Sequence, residues 1–478
     1  MNRKSVIVFS ILAAAFFCRA YFVVNFPITL DEAWSNTVGH LPPGGVIREA
    51  KADVSPPLTL LLHKFFTVAQ TGAGIRWIFA LFGFLSIFYL TKFINAGVPV
   101  LLLAGFSAFL IFEGSIARMH AFSIFFSSAA CYYYVRTFER EKRSDFALLV
   151  LFCVLALYNF YPFGALVVAF IAVYLVLRKN SVSKPAFYAY AFFSIILFSL
   201  PLLYIFNPSY AGSFASEKLF ELPSGAILAY LPYALAYSES LLKFSEIRGI
   251  KLGYFLVLFS VIAPVLVKGA GNRRGDLRLR LSLWLAAVSL GLVFAVSLKI
   301  PKVLYSAKYV AWAYPLFAYI FIMGLESLPG KIRGLVLSVI LAVNFASLYS
   351  VLNFNPENWR EVAAFVGRSA EEKDIILFDG SQMSYPFSFY YSGRGKIAGL
   401  PSKAPLFVPE EYMAYNRVWL VLSHNWARSG VYRGLLAKKI KLTEDHKFGD
   451  IQIVLFEQSG RKSFPAAAGK IRETAGTY

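Results

Sequence analysis

Cysteine is nearly missing from this chain. The three present, Cys18, Cys131 and Cys153, each lie inside an apolar run, with no spacing typical of a metal site or a disulfide framework. Charge is scarce too: Asp, Glu, Lys and Arg supply 15% of the 478 residues against 58% hydrophobic, and mean hydropathy is +0.59. That balance excludes a set of soluble domains and specifies a polytopic membrane protein. Acidic residues are the scarcer sign, 27 against 47 basic, for a net charge of +20. In a membrane protein such an excess sits in cytoplasmic loops and at anionic headgroups, which argues against a nucleic-acid partner. A phosphate-cradling Gly-rich loop, a Ser nucleophile elbow and an H-E-x-x-H helix are all absent, as is any repeat of solenoid period. His424 and His446 lack metal-ligand spacing and read as core or surface histidines.

Apolar runs fill the space that charge leaves. About eleven segments approach the roughly 20 helical residues needed to cross a hydrocarbon core: 5–26, 75–93, 98–112, 121–138, 146–160, 163–177, 185–206, 250–267, 281–298, 303–325 and 332–352. The first follows Asn2-Arg3-Lys4 and lacks a small-residue cleavage site, so it is expected to be an uncleaved signal anchor. Pro162 marks a hairpin within the long run 146–177. Lys and Arg check the count independently, because they accumulate on the cytoplasmic side. Arg3-Lys4, Lys92, the cluster at 136–143, Arg178-Lys179-Lys184, the cluster at 268–280 and Lys331-Arg333 all fall on one side. The other side receives 27–74, 113–118, 159–162, 207–249, 299–302 and everything after Asn353. An odd number of crossings places the C-terminal region outside.

The pattern changes at Asn353, dividing the chain into a transmembrane domain over 1–353, an extracytoplasmic α/β domain over 354–457 and a core-less tail over 458–478. In the α/β domain, Pro356 to Glu361 opens an amphipathic helix, and 374–378, 418–422 and 451–456 read as strands.

Polar residues gather at the outer face. Asp31-Glu32 follows the first span directly, and a carboxylate at a lipid–water boundary stays hydrated until a bound lipid desolvates it, which suits a general base. Thr29-Leu30-Asp31-Glu32 also fits the S/T-x-x-E capping box, so the pair starts a helix as well. His63 and Lys64 interrupt a run too short to span, which reads as an interfacial helix. Arg19 lies toward the outer end of the first span, where it can snorkel to the headgroups. Glu113, Arg118 and His120 meet at one helix junction, where an Arg can bind a phosphate diester bidentately. Lys308 and Tyr309 lie at the outer start of the tenth span, and Lys299 and Lys302 break the positive-inside pattern, which points to an anionic ligand or an interface anchor. Tyr132-Tyr133-Tyr134, Tyr158 and Tyr161 read as an aromatic belt.

Together, Arg19, Asp31-Glu32-Ala33, Ser55-Pro56-Pro57-Leu58 and the run from Ile75 to Gly83 resemble the C-type superfamily of membrane glycosyltransferases. The closer likeness is to the bacterial branch related to protein O-mannosyltransferases and the lipid A aminoarabinose transferase. Ala117-Arg118-Met119-His120-Ala121 is similar to that branch's Ala-Arg-Met-Tyr-Ala element, with His120 in place of Tyr. Tyr158 to Gly164 resembles its aromatic hairpin, Lys308-Tyr309 its Arg-Tyr pair with Lys for Arg, and Asn358-Trp359-Arg360-Glu361 the opening of its extracytoplasmic domain.

The resemblance implies a polytopic α-helical fold with a small C-terminal α/β domain in a bacterial cytoplasmic (inner) membrane. It implies inverting transfer of a sugar from a polyprenyl-phosphate donor to an acceptor hydroxyl on a glycan, lipid or protein. Asp31 would be the base, with Glu32 beside it; Arg118, Lys308, Arg19 and His63 would hold the donor phosphate; Glu113 and His120 would orient acceptor or cations. No cofactor is required, and although a divalent metal is compatible with the superfamily, the chain shows no ligand set for one. The alternative from another class is a transporter or lipid flippase, which would carry ionisable or broken-helix sites near mid-membrane and inverted repeats. The spans' inner portions are nearly free of charge, which favours the enzyme.

Overall fold

The computed structural model describes residues 3–52, 55–66, 72–95, 97–177, 185–205, 263–268, 276–297, 307–353, 357–378, 380–399, 415–423, 441–449 and 451–457. Most of the predicted span 250–267, the outer loops 207–249 and 299–302, the basic groups at 178–184 and 273–274, His424 and the tail 458–478 lie outside the described residues. Two compact units result. The larger is Met1–Phe26 with Trp34–Phe354; the smaller is Asn355–Tyr478 together with Pro27–Ala33.

The larger unit is helical. Its elements are α1 (Arg3–Asn25), α2 (Leu30–Gly39, beginning in the smaller unit's segment), α3 (Pro43–Ala52), α4 (Pro57–Phe66), α5 (Gly72–Ile94), α6 (Val98–Gly105), α7 (Ala108–Ser115) and α8 (Met119–Arg140). There follow α9 (Arg143–Asn159), α10 (Gly164–Leu177), α11 (Pro185–Ser199), α12 (Leu202–Ile205), α13 (Leu277–Ser297), α14 (Tyr314–Glu326) and α15 (Gly330–Asn353). Pro162 falls in a 3-10 turn, Tyr161–Phe163, that separates α9 from α10 as the hairpin reading predicts.

The sequence predicts about eleven crossings. Among the described residues six helices are long and apolar enough to cross a membrane, or seven if the bent pair α6 and α7 counts as one span. Of the four that remain, 250–267 lies mostly outside the described residues, and for the other three, α8, α9 and α10, the difference has a physical source. At 17 and 14 residues, α9 and α10 fall short of a hydrocarbon core by themselves. α8 has the length, 22 residues, but carries Ser123, Ser127, Ser128 and three tyrosines. It tolerates them because it is an interior helix packed against α5 and α9, with its serine hydroxyls bonded back to Met119 and Ile124 carbonyls. Tyr134 is likewise interior, fully buried with its hydroxyl donating to the Phe170 carbonyl at 2.8 Å, which corrects the aromatic-belt reading for that residue.

α6 and α7 bend by 56° at their break. Ser107 caps α7 by accepting from the Leu110 amide at 3.2 Å, so the chain restarts as a helix without an orphaned donor there. α5 and α7 cross at Gly83 and Gly114, where a Cβ on Gly83 would overlap the Gly114 carbonyl. Glycine at that crossing is a steric necessity.

The smaller unit holds α16 (Trp359–Ser369), α17 (Ser384–Tyr390) and five strands: β1 (Asp374–Phe378), β2 (Lys396–Gly399), β3 (Arg417–Ser423), β4 (Lys441–Phe448) and β5 (Ile451–Glu457). The sheet order is β2-β1-β3-β5-β4, with β1 parallel to β2 and β3, and β5 antiparallel to β3 and β4. Alternation along β1, β3 and β5 sends Ile376, Phe378, Trp419 and Ile453 to one face and Ile375, Leu377, Leu420 and Val454 to the other. Both faces are buried, as the parallel part of such a sheet requires. α16 starts at Asn358, whose side chain accepts from the Glu361 amide at 3.4 Å, and it lays Trp359, Val362 and Val366 on the first face. Leu30, from the segment Pro27–Ala33, packs on that same cluster.

Candidate functional site

In the smaller unit, the acidic pair divides its labour. Glu32 is fully buried and closes the capping box: its Oε2 accepts from the Thr29 amide at 2.9 Å and the Thr29 hydroxyl at 3.0 Å, while the Glu32 amide donates to Thr29 Oγ1 at 3.3 Å. Asp31, beside it in the first turn of α2, is exposed. Helix-end amides favour an anion at that position, so Asp31 places its carboxylate at a suitable helix end.

In the larger unit, the cationic and imidazole candidates collect around the turn from α7 to α8. The Arg118 amide donates to the Ile116 carbonyl at 2.8 Å, a tight reversal that leaves Arg118 extended at the N-cap of α8. Its guanidinium lies 5.9 Å from the Trp34 ring centroid and donates from Nη1 to Ser35 Oγ at 2.6 Å. One residue earlier, the Ala117 carbonyl meets His63 Nε2 at 2.9 Å. A carbonyl only accepts, so Nε2 carries the proton. His63 is fully buried on α4, its ring 5.3 Å from that of Phe79. Glu113, buried near the end of α7, precedes the turn.

An aromatic relay brings in Lys308. The His120 ring is buried edge-on to Phe160 at 5.8 Å and to Tyr309 at 6.1 Å, and Tyr309 stacks on Phe160 at 6.2 Å. The Lys308 ammonium lies 5.6 Å from the Tyr309 ring centroid. Thus Arg118 and His120 lie at the turn, His63 meets its Ala117 carbonyl, Glu113 precedes it on α7, and Lys308 adjoins Tyr309, which packs on His120.

Two further residues tie helices together, Asn159 at this turn and Arg76 at the end of α1, and sequence reasoning passed over both. Asn159, the buried last residue of α9, donates to the Met119 carbonyl at 2.8 Å and to Ser123 Oγ at 2.9 Å, and its Oδ1 accepts from Thr59 at 2.6 Å. It ties α4, α8 and α9 at the level of the turn. The one hint was a lone amide in a long apolar run. Arg76, almost fully buried at the start of α5, donates to the Phe26 carbonyl and lies 5.7 and 5.6 Å from the Phe22 and Phe26 ring centroids. An arginine opening an apolar span is itself a signal of function or of a structural tie.

Arg19 departs from its predicted place. In place of snorkelling, its side chain is 1% exposed and donates to the carbonyls of Ala15 and Gly105 at 3.0 Å each and of Ala104 at 3.5 Å. Those acceptors include the last carbonyls of α6, which the bend leaves without helical partners. An arginine can satisfy several at once and thereby lets a span break inside a membrane.

Among the described residues no group of three His, Cys, Asp or Glu side chains converges as a metal site would require.

No protein-family model and no curated protein matches this chain. Solved structures do match in fold. The crystal structure of ArnT from Cupriavidus metallidurans in the apo state superposes with a TM-score of 0.59 at 12% identity, covering 95% of this chain and 98% of that one. The same protein bound to undecaprenyl phosphate superposes with a TM-score of 0.57 at 12% identity, covering 94% and 97%. The fold is therefore shared with that protein over nearly the whole of both chains.

Proposed function

We propose that the chain is a membrane glycosyltransferase that moves a sugar from a polyprenyl-phosphate donor to an acceptor hydroxyl, with inversion at the anomeric carbon. The observation that carries this reading is the convergence of Arg118, His63, His120 and Lys308 on one turn, in a fold shared with a protein crystallised on undecaprenyl phosphate. Fixed positive charge is what a departing lipid phosphate needs, and the half-buried Arg118 guanidinium and Lys308 ammonium can supply it.

In the proposed step the acceptor oxygen attacks the anomeric carbon as the carbon–oxygen bond to phosphate breaks. The hydroxyl proton passes to the Asp31 carboxylate, and the polyprenyl phosphate leaves as an anion. Arg118 and Lys308 neutralise that anion, and His63, whose Nε2–H is engaged by the Ala117 carbonyl, acts by holding the turn that carries Arg118. Glu113 and His120 orient the acceptor or these cations, while Glu32 holds the turn that presents Asp31. Arg19 acts through the backbone it ties, at the end of α6. Membrane lipids present the donor tail, the acceptor is a glycan, lipid or protein, and nucleic acid has no part. The enzyme would lie in the bacterial inner membrane with its α/β unit on the extracytoplasmic side.

The test is Asp31→Asn in proteoliposomes supplied with a polyprenyl-phosphate sugar. General-base catalysis contributes about 10²–10⁴-fold, so turnover should fall by that order while donor-lipid binding persists. Undiminished turnover would remove Asp31 as the base. The proposal assigns phosphate neutralisation to protein cations, so dialysis against EDTA should leave the wild-type rate unchanged. Loss of rate restored by a divalent ion would instead assign a metal.

A further inference from the structure

We infer that the C-terminal α/β unit is part of the catalytic apparatus through Tyr390, a positioning residue that anchors the segment carrying Asp31. This rests on Asp31 acting as the base, as proposed above. Pro27–Ala33 is distant in sequence from residues 355–478 yet belongs to the same compact unit. The tie is specific. The Tyr390 hydroxyl, at the last residue of α17, accepts the Ile28 amide proton at 2.7 Å.

Three physical features make this contact matter for Asp31. Pro27 has no amide and the chain is not helical from 26 to 29, so no intrahelical carbonyl serves the Ile28 donor. Ile28 is 2% exposed, which denies that donor water as a substitute and makes Tyr390 its needed partner. Thr29 and Glu32 then close the capping box, and Leu30 packs on the cluster around Trp359, Phe378 and Phe387. Ile28, Thr29, Leu30 and Glu32 are each held, and they surround the exposed Asp31 on both sides in sequence. Tyr390 is itself braced: the Arg360 guanidinium of α16 lies 5.6 Å from its ring centroid, and the Phe389 ring is 5.1 Å away.

The experiment uses the full-length protein in proteoliposomes and compares Tyr390→Phe with a control on the same helix, Tyr385→Phe. Hydrogen exchange of the peptide over 27–33 should quicken in Tyr390→Phe, while that of β1 and β3 stays at the wild-type rate. Donor KM should hold and kcat should fall roughly 10–100-fold, the cost of a misplaced catalytic group. Active protein is counted by donor-lipid binding, so a smaller folded fraction cannot imitate a lower kcat. Tyr385→Phe should match wild type in all of these. Unchanged exchange over 27–33, or full kcat in Tyr390→Phe, overturns the inference. Faster exchange across β1 and β3 as well overturns it by making Tyr390 a general fold residue. Should Asp31→Asn keep full turnover, the reading of Asp31 fails, whereas exchange at 27–33 still reports on the anchor.

Discussion

Arg118 and Arg417 show how differently two arginines can be placed. Arg417 is consumed by structure: it donates to Asp374 from Nε at 3.0 and 3.1 Å and from Nη2 at 2.7 Å, and to the Ser369 carbonyl at 2.9 Å. Burial alone would lower its pKa, and the carboxylates of Asp374, Glu371 and Glu457 together outweigh that and raise it. Asp374 is fully buried and also accepts from Trp419 at 3.1 Å, so Asp374→Ala leaves the buried indole N–H without its acceptor while Arg417 keeps Glu371 and the Ser369 carbonyl, and should destabilise the α/β unit by about 1–3 kcal/mol, read by chemical denaturation. Arg118 bonds a serine hydroxyl and faces an indole, contacts a phosphate could displace. Arg118→Lys keeps the charge and loses the planar fork, so donor KM should rise about 10-fold or more, the worth of one charge-assisted hydrogen bond. Tyr391 adds a pH signature. Burial pushes its phenol above the ordinary value of 10.0, partly offset by the Gly395 amide it accepts and reinforced by Asp374. Its neutral form is favoured in the fold, so that stability is fully present below pH 10.0 and is lost as pH rises through the raised value. Denaturation midpoints across that window check the sign.

Elements were legible in proportion to how apolar they are. β1 was read residue for residue, and β3 and β5 to within a residue or so, because buried strands are short apolar runs bounded by polar residues. β2 and β4 were missed. β4 is Lys-Leu-Thr-Glu-Asp-His-Lys-Phe, largely exposed at the sheet edge with a bulge at Leu442/Glu444, and its pairing with β5 fixes it as a strand. β2 is four residues at the opposite edge. The bend between α6 and α7 was also hidden, since 98–112 reads as one apolar run; Ser107 and a distant Arg19 permit the break. Helix crossings carry the next prediction. Gly83→Ala places a methyl 2.8 Å from Gly114 Cα as well as against its carbonyl, so α5 and α7 must separate. The variant should lose roughly 1–3 kcal/mol, measured as detergent-solubilised thermal stability, and should lose transfer because Gly114 neighbours Glu113 and leads to the Arg118 turn.

At the scale of the molecule, two units carry the groups the proposal needs. Asp31 sits in a segment of the smaller one, and the phosphate-binding candidates sit in the larger. Charge asymmetry makes a topological prediction for the whole chain. Cysteines introduced at 31 and 358 should react with an impermeant thiol reagent from outside, and one at 143 only after the membrane is opened. Reversed labelling would overturn the orientation and, with it, the extracytoplasmic site.

Sequence alone determined that this chain lives in a bilayer, that most of its apolar runs are helices, and that an α/β unit follows Asn353. It could do so because hydrocarbon selects apolar runs and excludes charge, signals that are local and survive without an alignment. Tertiary structure alone decided that Arg19 serves the end of α6, that Asn159 knots three helices beneath the Arg118 turn, and that Tyr390 holds the amide of Ile28. Each of these joins residues dozens to hundreds of positions apart. Such pairings follow from how buried donors and acceptors find one another once helices and strands have packed, which no periodicity along the chain encodes.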